Sequence, residues 1–284
     1  MEFGVFPVPI AAEHADLLRQ VQLAEHLGLD LVGVQDHPYQ RRYLDTFTLL
    51  PWLAARTDRI RFFPDVAHMP LRPPAMLAKA IASLDVLSGG RIELGLGAGA
   101  YPEASQAMGA PVRQPRESVA AVEEAISIIR RFWESPRQAI HHRGRHFELG
   151  GVKAGPPPAH DIGIWVGGDG PRMLRVVASM ADGWISPGTR HLTFGGLLAK
   201  RDELDRYAAD ADRDPATIRR LTDVSGTITD GPTSSWLHGP VDHWVDELKA
   251  LAAAGFDTFI FWPDEATDEQ IHAFAEVAGQ LRGG

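Results

Sequence analysis

The chain of 284 residues contains no cysteine. That excludes disulfides, thiolate nucleophiles and cysteine-held metals or clusters. Positive charge is short as well: 28 Lys and Arg stand against 37 Asp and Glu, for a net charge of −9. Nucleic-acid binding wants a basic face, so no nucleic-acid partner is expected. No apolar run is long enough for a membrane span, so no membrane partner is expected either. The opening residues Phe3-Gly4-Val5-Phe6 read as a strand and lack the basic and apolar regions of a signal peptide. The expectation is a cytoplasmic protein.

Apolar residues make up 44% of the chain and charged residues 23%, the balance of a globular protein with a sizeable core. Short apolar runs alternate with longer amphipathic ones. The predicted strands lie near Phe3–Val8, Leu31–Asp36, Ile60–Val66, Arg91–Gly97, Ile162–Gly167, Gly183–Ser186, Val224–Thr229 and Thr258–Trp262. The predicted helices lie near Glu13–Leu27, Thr46–Arg56, Pro74–Leu87, Pro115–Trp133, Pro171–Met180, Leu192–Asp212, Pro240–Ala254 and Asp268–Leu281. Apolar strands joined through helices form parallel sheets. Eight such units in this length predict an α/β fold, a (β/α)8 TIM barrel, as one domain over residues 1–284. An open doubly wound sheet is the alternative; of the strands, only Gly183–Ser186 is short enough for its edge. Ser135–Gly151 reads as a small hairpin inserted before strand five, and Thr229–Gly239 as a loop without an element.

Glycine is used pointedly. Gly89-Gly90 ends a helix where left-handed backbone is free of Cβ strain. Gly95, Gly97 and Gly99 then alternate along a strand end, a sign that another backbone or a flat ligand comes close. Gly95–Ala100 also matches the dinucleotide pattern G-x-G-x-x-A, but no helix opens directly after it, as that fingerprint requires.

Barrel enzymes place their active sites at the C-terminal strand ends. There the chain offers Phe6-Pro7, Asp36-His37-Pro38-Tyr39, Asp65-Val66-Ala67-His68, the three glycines, Gly167-Gly168-Asp169-Gly170-Pro171-Arg172 and Trp262-Pro263-Asp264. Gly170 and Pro171 suit the cap and first position of a helix, and a helix N-terminus is a natural phosphate site. Gly167 and Gly168 would let a phosphate approach, with Arg172 adding a charged bond; a plain helix start with a surface arginine is the other reading. Three readings are open for Asp36-His37: a structural Asp holding an arginine or an amide, half of a metal site, or a histidine presented to a ligand at the mouth. Asp65 and His68 could complete a metal set, so a metal-dependent hydrolase or lyase is a rival class. His141-His142 face opposite sides of a strand and read as surface hairpin.

Together, Leu31-Val32-Gly33-Val34-Gln35-Asp36-His37-Pro38, Leu84-Asp85-Val86-Leu87-Ser88-Gly89-Gly90-Arg91-Ile92-Glu93-Leu94-Gly95-Leu96-Gly97-Ala98-Gly99, Ile164-Trp165-Val166-Gly167-Gly168 and Ala181-Asp182-Gly183-Trp184 resemble the luciferase-like monooxygenase superfamily. The likeness is to its bacterial flavin- or coenzyme F420-dependent oxidoreductases. It implies two-electron hydride transfer between a bound deazaflavin F420, or FMN, and a small organic substrate. An FMN-dependent monooxygenase using O2 is the alternative. It implies no metal, a possible homodimer, and a non-proline cis peptide at Asp65-Val66 beside the ring. The cofactor-binding residues it implies are Phe6, Asp36, Asp65, Val66, Ala67, Gly97, Gly99, Gly167, Gly168, Asp169, Gly170, Pro171 and Arg172. His37 and Asp36 are the catalytic candidates, with Phe6, Tyr39, Trp236 and Trp262 as aromatic walls. The deazaflavin sugar-phosphate dehydrogenases of this family carry a glutamate where this chain has Ala100 and a histidine where it has Trp262, which argues against that substrate.

Overall fold

The computed structural model describes residues 1–134 and 139–283. In chain order the strands are β1 (Glu2–Val5), β2 (Leu31–Val34), β3 (Arg61–Pro64), β4 (Ala67–His68), β5 (Leu94–Gly97), β6 (Ala139–Arg143), β7 (Glu148–Lys153), β8 (Ile164–Gly167), β9 (Gly183–Ile185), β10 (Arg219–Ile228), β11 (His238–Gly239) and β12 (Thr258–Pro263). The helices are α1 (His14–His26), α2 (Thr46–Ala54), α3 (Pro74–Ser88), α4 (Pro102–Ala107), α5 (Pro115–Glu134), α6 (Pro171–Met180), α7 (Phe194–Asp210), α8 (Val241–Ala253) and α9 (Asp268–Gly283).

The main sheet is parallel and runs β3-β2-β1-β12-β10-β9-β8-β5-β4. β3 and β4 are two halves of one stave, broken at the non-proline cis bond Asp65-Val66. β3 also bridges the chain just before β5, at Phe62 and Ile92, which closes the sheet into a barrel. This is the expected (β/α)8 architecture, reached with strand bounds shifted by a few residues. The strand predicted from Val224 begins five residues earlier, at Arg219. Strand three is split rather than continuous. The loop expected at Thr229–Gly239 carries the short strand β11 on β10. The hairpin before strand five is present as antiparallel β6 and β7; residues 135–138 of its predicted span lie outside the described residues.

Inward-facing side chains plug the barrel: Phe6, Leu31, Phe63, Trp165, Ile185, Leu221 and Ile260 form one buried cluster, with Val66 and Trp262 packed on it. A larger cluster lies between the strands and the ring of helices. The N-terminal rim is tied by ion pairs: Arg61 binds Glu2 and Glu93, and Arg219 binds Glu2 and Asp257.

The long central motif is mostly architecture. α3 ends at Gly89, whose φ of 74° lets its N–H return to Asp85 and Val86. Asp85 is fully buried and accepts from Ile92, Ala159 and His160. Arg91 donates to the carbonyls of Ala54, Thr57, Ile60 and Ser88. These bonds bring α3 and the strand-five entry to the base of the barrel, opposite the mouth.

Candidate active site

At the end of β2, Asp36 is buried and accepts three hydrogen bonds. The His68 N–H donates at 2.9 Å, Arg72 Nη2 at 2.7 Å and Arg72 Nε at 3.1 Å. Arg72 also binds Asp45, which caps α2 through the Thr48 N–H at 2.9 Å. Asp36 thus ties the second strand end to the third. His68 Nε2 lies 2.6 Å from Ser105 Oγ, which donates to the Tyr101 carbonyl at 3.1 Å. A hydroxyl has one proton, so His68 Nε2–H is the donor in the first bond. Burial pushes the His68 pKa down, and the nearby Asp36 opposes it.

His37, Tyr39 and Tyr101 form an aromatic corner on this rim. His37 stacks on Tyr39 at 5.4 Å, and Tyr101 meets both edge-on at 6.0 Å. Burial lowers the His37 pKa against the pull of Asp36. The Tyr39 hydroxyl is shielded from solvent and has no partner. Burial, then Tyr101 and Asp36, push its pKa up to about 12. Gln35 Nε2, two residues before His37, is likewise shielded and unpartnered. Tyr101 holds a φ of 55°, unusual for a side-chain-bearing residue, and stands 62% exposed over the corner.

The glycines are crowded by the protein's own split stave. A Cβ on Gly95 would lie 2.2 Å from the Pro64 carbonyl, and one on Gly97 2.5 Å from Val66 Cγ2. A Cβ on Gly99 would lie 2.7 Å from Pro70, and one on Gly167 3.1 Å from Val66 Cγ1. What comes close is therefore the chain from Pro64 to Pro70, with the Val66 side chain spread across Gly97 and Gly167. The exposed side of this floor is Val66. Ala67 is buried and pairs with Leu96.

α6 begins beside that floor. Gly170 caps it with extended backbone and no side-chain bond, and Pro171 takes the first position, as the residue types require. The first-turn N–H groups are therefore left for a ligand or water. Gly168 has a φ of 135°, and its carbonyl accepts from Trp184 Nε1 at 2.8 Å. Arg172 is exposed on the first turn and forms no ion pair among the described residues.

Across the mouth, Phe6 stacks on Trp262 at 4.5 Å. Arg190, absent from the sequence-based set, lies 4.4 Å from the centre of the same Trp262 ring. It donates to Ser225 Oγ at 3.1 Å and to Asp264 at 3.2 Å. Asp264 also accepts from His238 Nε2 at 2.9 Å. Phe6, Val8, Ile10, Arg190, Trp262 and Asp264 line a cavity of about 430 Å³ here. Trp236 packs edge-on against Phe194 at 6.3 Å instead of joining the Phe6–Trp262 wall. An apolar pocket of similar size, about 420 Å³, opens between Ala11, His14, Leu44 and Trp52. It holds none of the orphaned polar atoms of the aromatic corner, Gln35 Nε2 and Tyr39 Oη.

Asp36, His37 and His68 are engaged separately, with Arg72, the aromatic corner and Ser105 respectively, and Asp65 Oδ2 is shielded without a hydrogen-bond partner. Among the described residues no group of three or more His, Asp or Glu is placed to hold a metal ion. Asp223, Arg190, Arg72, Ser105 and Tyr101 escaped the reading of the sequence. Inward alternation of Leu221, Asp223 and Ser225 was the signal available for Asp223. The other partners lie too far along the chain to pair by inspection.

No described helix is long and apolar enough to cross a membrane. The chain is 34% identical, over 97% of its length and 85% of the relative, to a 5,10-methylenetetrahydromethanopterin reductase of Archaeoglobus fulgidus. It is 30% identical, over 90% of its length and 79% of the relative, to an F420-dependent glucose-6-phosphate dehydrogenase of Intrasporangium calvum. Its fold superposes on a coenzyme F420 dependent tetrahydromethanopterin reductase from Methanopyrus kandleri with a TM-score of 0.85, covering 99% of both chains at 17% identity. Residues 1–236 match the luciferase-like monooxygenase family, and the chain belongs to it.

Proposed function

We propose that this chain is a two-electron oxidoreductase that binds a deazaflavin of the coenzyme F420 type across the barrel mouth and acts on a small organic substrate. The observation that carries the reading is the pairing of a flat apolar floor, Val66 over Gly97 and Gly167, with the open α6 N-terminus on the same rim. The residues present fit such a group. Asp169, Gly170, Pro171 and Arg172 suit its phosphate, since main-chain N–H groups and a free guanidinium favour an anion. Phe6, Asp65, Val66, Ala67, Gly97, Gly99, Gly167 and Gly168 build the floor and its edges. The bound ring would supply hydride chemistry, which no side chain of this cysteine-free chain provides.

The side chains supply binding, orientation and protons. The floor and the Phe6–Trp262 wall exclude water on two sides. His37, whose pKa burial lowers, and the unpartnered Tyr39 hydroxyl offer donors to a substrate oxygen. Asp36 works through Arg72 and His68, holding the second and third strand ends in register. The A. fulgidus and I. calvum relatives, both named for reductive or dehydrogenase activity, support hydride transfer over oxygen chemistry. Ala100 and Trp262, where the family resemblance gives the sugar-phosphate enzymes glutamate and histidine, argue against a substrate of that class. Cytoplasmic location and a homodimer belong to the same proposal; the exposed Met76, Val86 and Leu87 of α3 offer an apolar face for a second copy.

Fluorescence titration of the purified protein with F420 and with FMN tests the reading. Saturable F420 binding is expected. Tight FMN binding with none for F420 reverses the cofactor assignment, and O2-dependent turnover with reduced FMN supports the monooxygenase alternative.

A further inference from the structure

The rings of His37, Tyr39, His68 and Tyr101 meet where the ends of β2 and β5 flank the split stave. His37 and Tyr39 stack at 5.4 Å and 21°. Tyr101 stands across that pair, at 84° to His37 and 66° to Tyr39, with 6.0 Å to each. Buried His68 meets Tyr39 at 5.4 Å and 75°. The rings therefore form an angle, not a single stack. His37 follows β2 and Tyr101 follows β5, so their contact spans the end of the stave that carries Val66. The corner thus stands on the same rim as the Val66 floor.

Tyr101 is held there by buried groups. Its carbonyl accepts from the Ser105 N–H and from Ser105 Oγ, both at 3.1 Å. Ser105 Oγ accepts in turn from His68 Nε2 at 2.6 Å, and the His68 N–H donates to Asp36 at 2.9 Å. These bonds hold the Tyr101 main chain in the left-handed region, with a φ of 55°, and leave most of its ring open to solvent. An uncommon backbone kept for an exposed apolar ring gains little packing, so the ring is presented to something outside the chain. The charged groups facing the corner are Asp36 and Arg72. Arg72 is taken up by Asp36 and Asp45. Burial disfavours the charged form of His37 and of His68. Among the described residues, an anion at this corner would meet no free cation.

We propose that Tyr101 is a specificity-determining residue, the outer wall of an aromatic corner that selects an uncharged substrate with a flat conjugated group beside its carbonyl or carbinol carbon. Ser105 and His68 are positioning residues that hold this wall in place. The inference rests on the proposed function and narrows its small organic substrate to one class. A flat group lies against one wall of the corner and meets the other edge-on, the two arrangements that aromatic rings prefer. A saturated ring of similar size fills the same space without those contacts. A carboxylate loses hydration there and finds no partner. The proposal concerns binding, so no bond is made or broken in it.

Acetophenone, cyclohexyl methyl ketone and benzoate are titrated by saturation-transfer NMR into the protein with and without F420. Wild type is expected to bind acetophenone about threefold to tenfold more tightly than cyclohexyl methyl ketone, and about tenfold or more above benzoate. Tyr101→Ala is expected to lose the preference for the aryl ketone, and Tyr101→Phe, which keeps the ring, to retain it. Ser105→Ala is expected to lose it as well, and Ser105→Thr, which keeps the hydroxyl, to restore it. Equal binding of the two ketones, benzoate binding as well as acetophenone, no saturable binding of any of the three, or an unchanged preference in Tyr101→Ala overturns the proposal. A preference that survives Ser105→Ala overturns the positioning role. Saturable F420 binding without the preference removes the aromatic corner and leaves the functional reading in place. The preference in a protein that binds neither F420 nor FMN overturns the functional reading, and with it the aryl compound as substrate.

Discussion

Arg72 grips Asp36 with two nitrogens, Nη2 on Oδ1 at 2.7 Å and Nε on Oδ2 at 3.1 Å. The Asp36 side chain is fully buried, so this fork joins the Asp-His-Pro turn after β2 to the stave that carries the cis peptide. Removing the carboxylate leaves a largely buried guanidinium with only Asp45 to balance it. Asp36→Ala is therefore expected to cost about 3 kcal/mol of folding stability, near the lower end for a broken buried pair. Urea denaturation measures it. A variant that keeps its full midpoint while losing turnover would instead make Asp36 a group acting directly on the ligand.

Two buried carboxyls, Asp65 and Asp223, shape stability against pH. The folded Asp65 carboxyl binds its proton up to about 7, against 3.8 for the free group. Between those values the folded state holds more protons than the unfolded one. Its contribution is thus present in acid and lost as pH rises towards 7. His68, pushed down by burial, works in the opposite sense: the unfolded chain takes up that proton first as pH falls below about 6.5. Asp223→Asn removes the buried like charge and is expected to raise stability above pH 7 by about 1–2 kcal/mol. Thermal unfolding of both proteins at pH 6 and pH 8 checks it; a variant less stable at both overturns the account.

Much of the barrel was legible because its signals are local. Apolar runs, the Gly89 stop and the Gly170-Pro171 start each depend on a few neighbouring residues. Elements of two to six residues, β4, β11 and α4, are too short to show a period. The glycines Gly95, Gly97 and Gly99 were rightly read as a sign of close approach, yet the sequence could not say that Pro64, Val66 and Pro70 were the approaching groups. Asp36 had a structural reading from the start, but Arg72 lies 36 residues away and nothing local pairs them. Asp223 sits inside an apolar strand, where one acidic residue among Leu221, Val224 and Ile228 draws little notice.

The floor can be tested by a cycle of two small substitutions. Adding a methyl at Gly97 places it 2.5 Å from Val66 Cγ2, so Val66 must move. Gly97→Ala is expected to cost about 1–3 kcal/mol as overpacking and to weaken cofactor binding. Val66→Ala removes the clashing atoms, so the double variant is expected to regain stability relative to Gly97→Ala. A coupling of about 1 kcal/mol or more would confirm the contact; simple additivity would show that the two residues do not press on each other.

Arg172 and the α6 N-terminus make a claim about charge. Arg172→Ala is expected to weaken a phosphate-bearing cofactor by about tenfold or more, since a charged hydrogen bond contributes roughly 1.5–3 kcal/mol. Folding stability is expected to stay within about 0.5 kcal/mol, as for a surface position. Equal affinity in the two proteins, read by fluorescence titration, would move the phosphate away from α6.

Tyr39 separates a packing role from a chemical one. Its ring stacks on His37 and meets His68 and Tyr101 edge-on, while its hydroxyl is shielded and bonds to nothing in the protein. A buried hydroxyl without a partner destabilises the fold, so Tyr39→Phe is expected to leave stability unchanged or raise it by about 1 kcal/mol. If that hydroxyl exists to meet a substrate oxygen, the same change lowers kcat/KM by roughly tenfold or more, the worth of one donor aimed at developing charge. Cofactor affinity is expected to hold, because the ring and its stack remain. Steady-state kinetics alongside thermal unfolding reads both effects on one pair of proteins. Loss of stability with unchanged kcat/KM would make the corner a packing device and return the role of donor to His37.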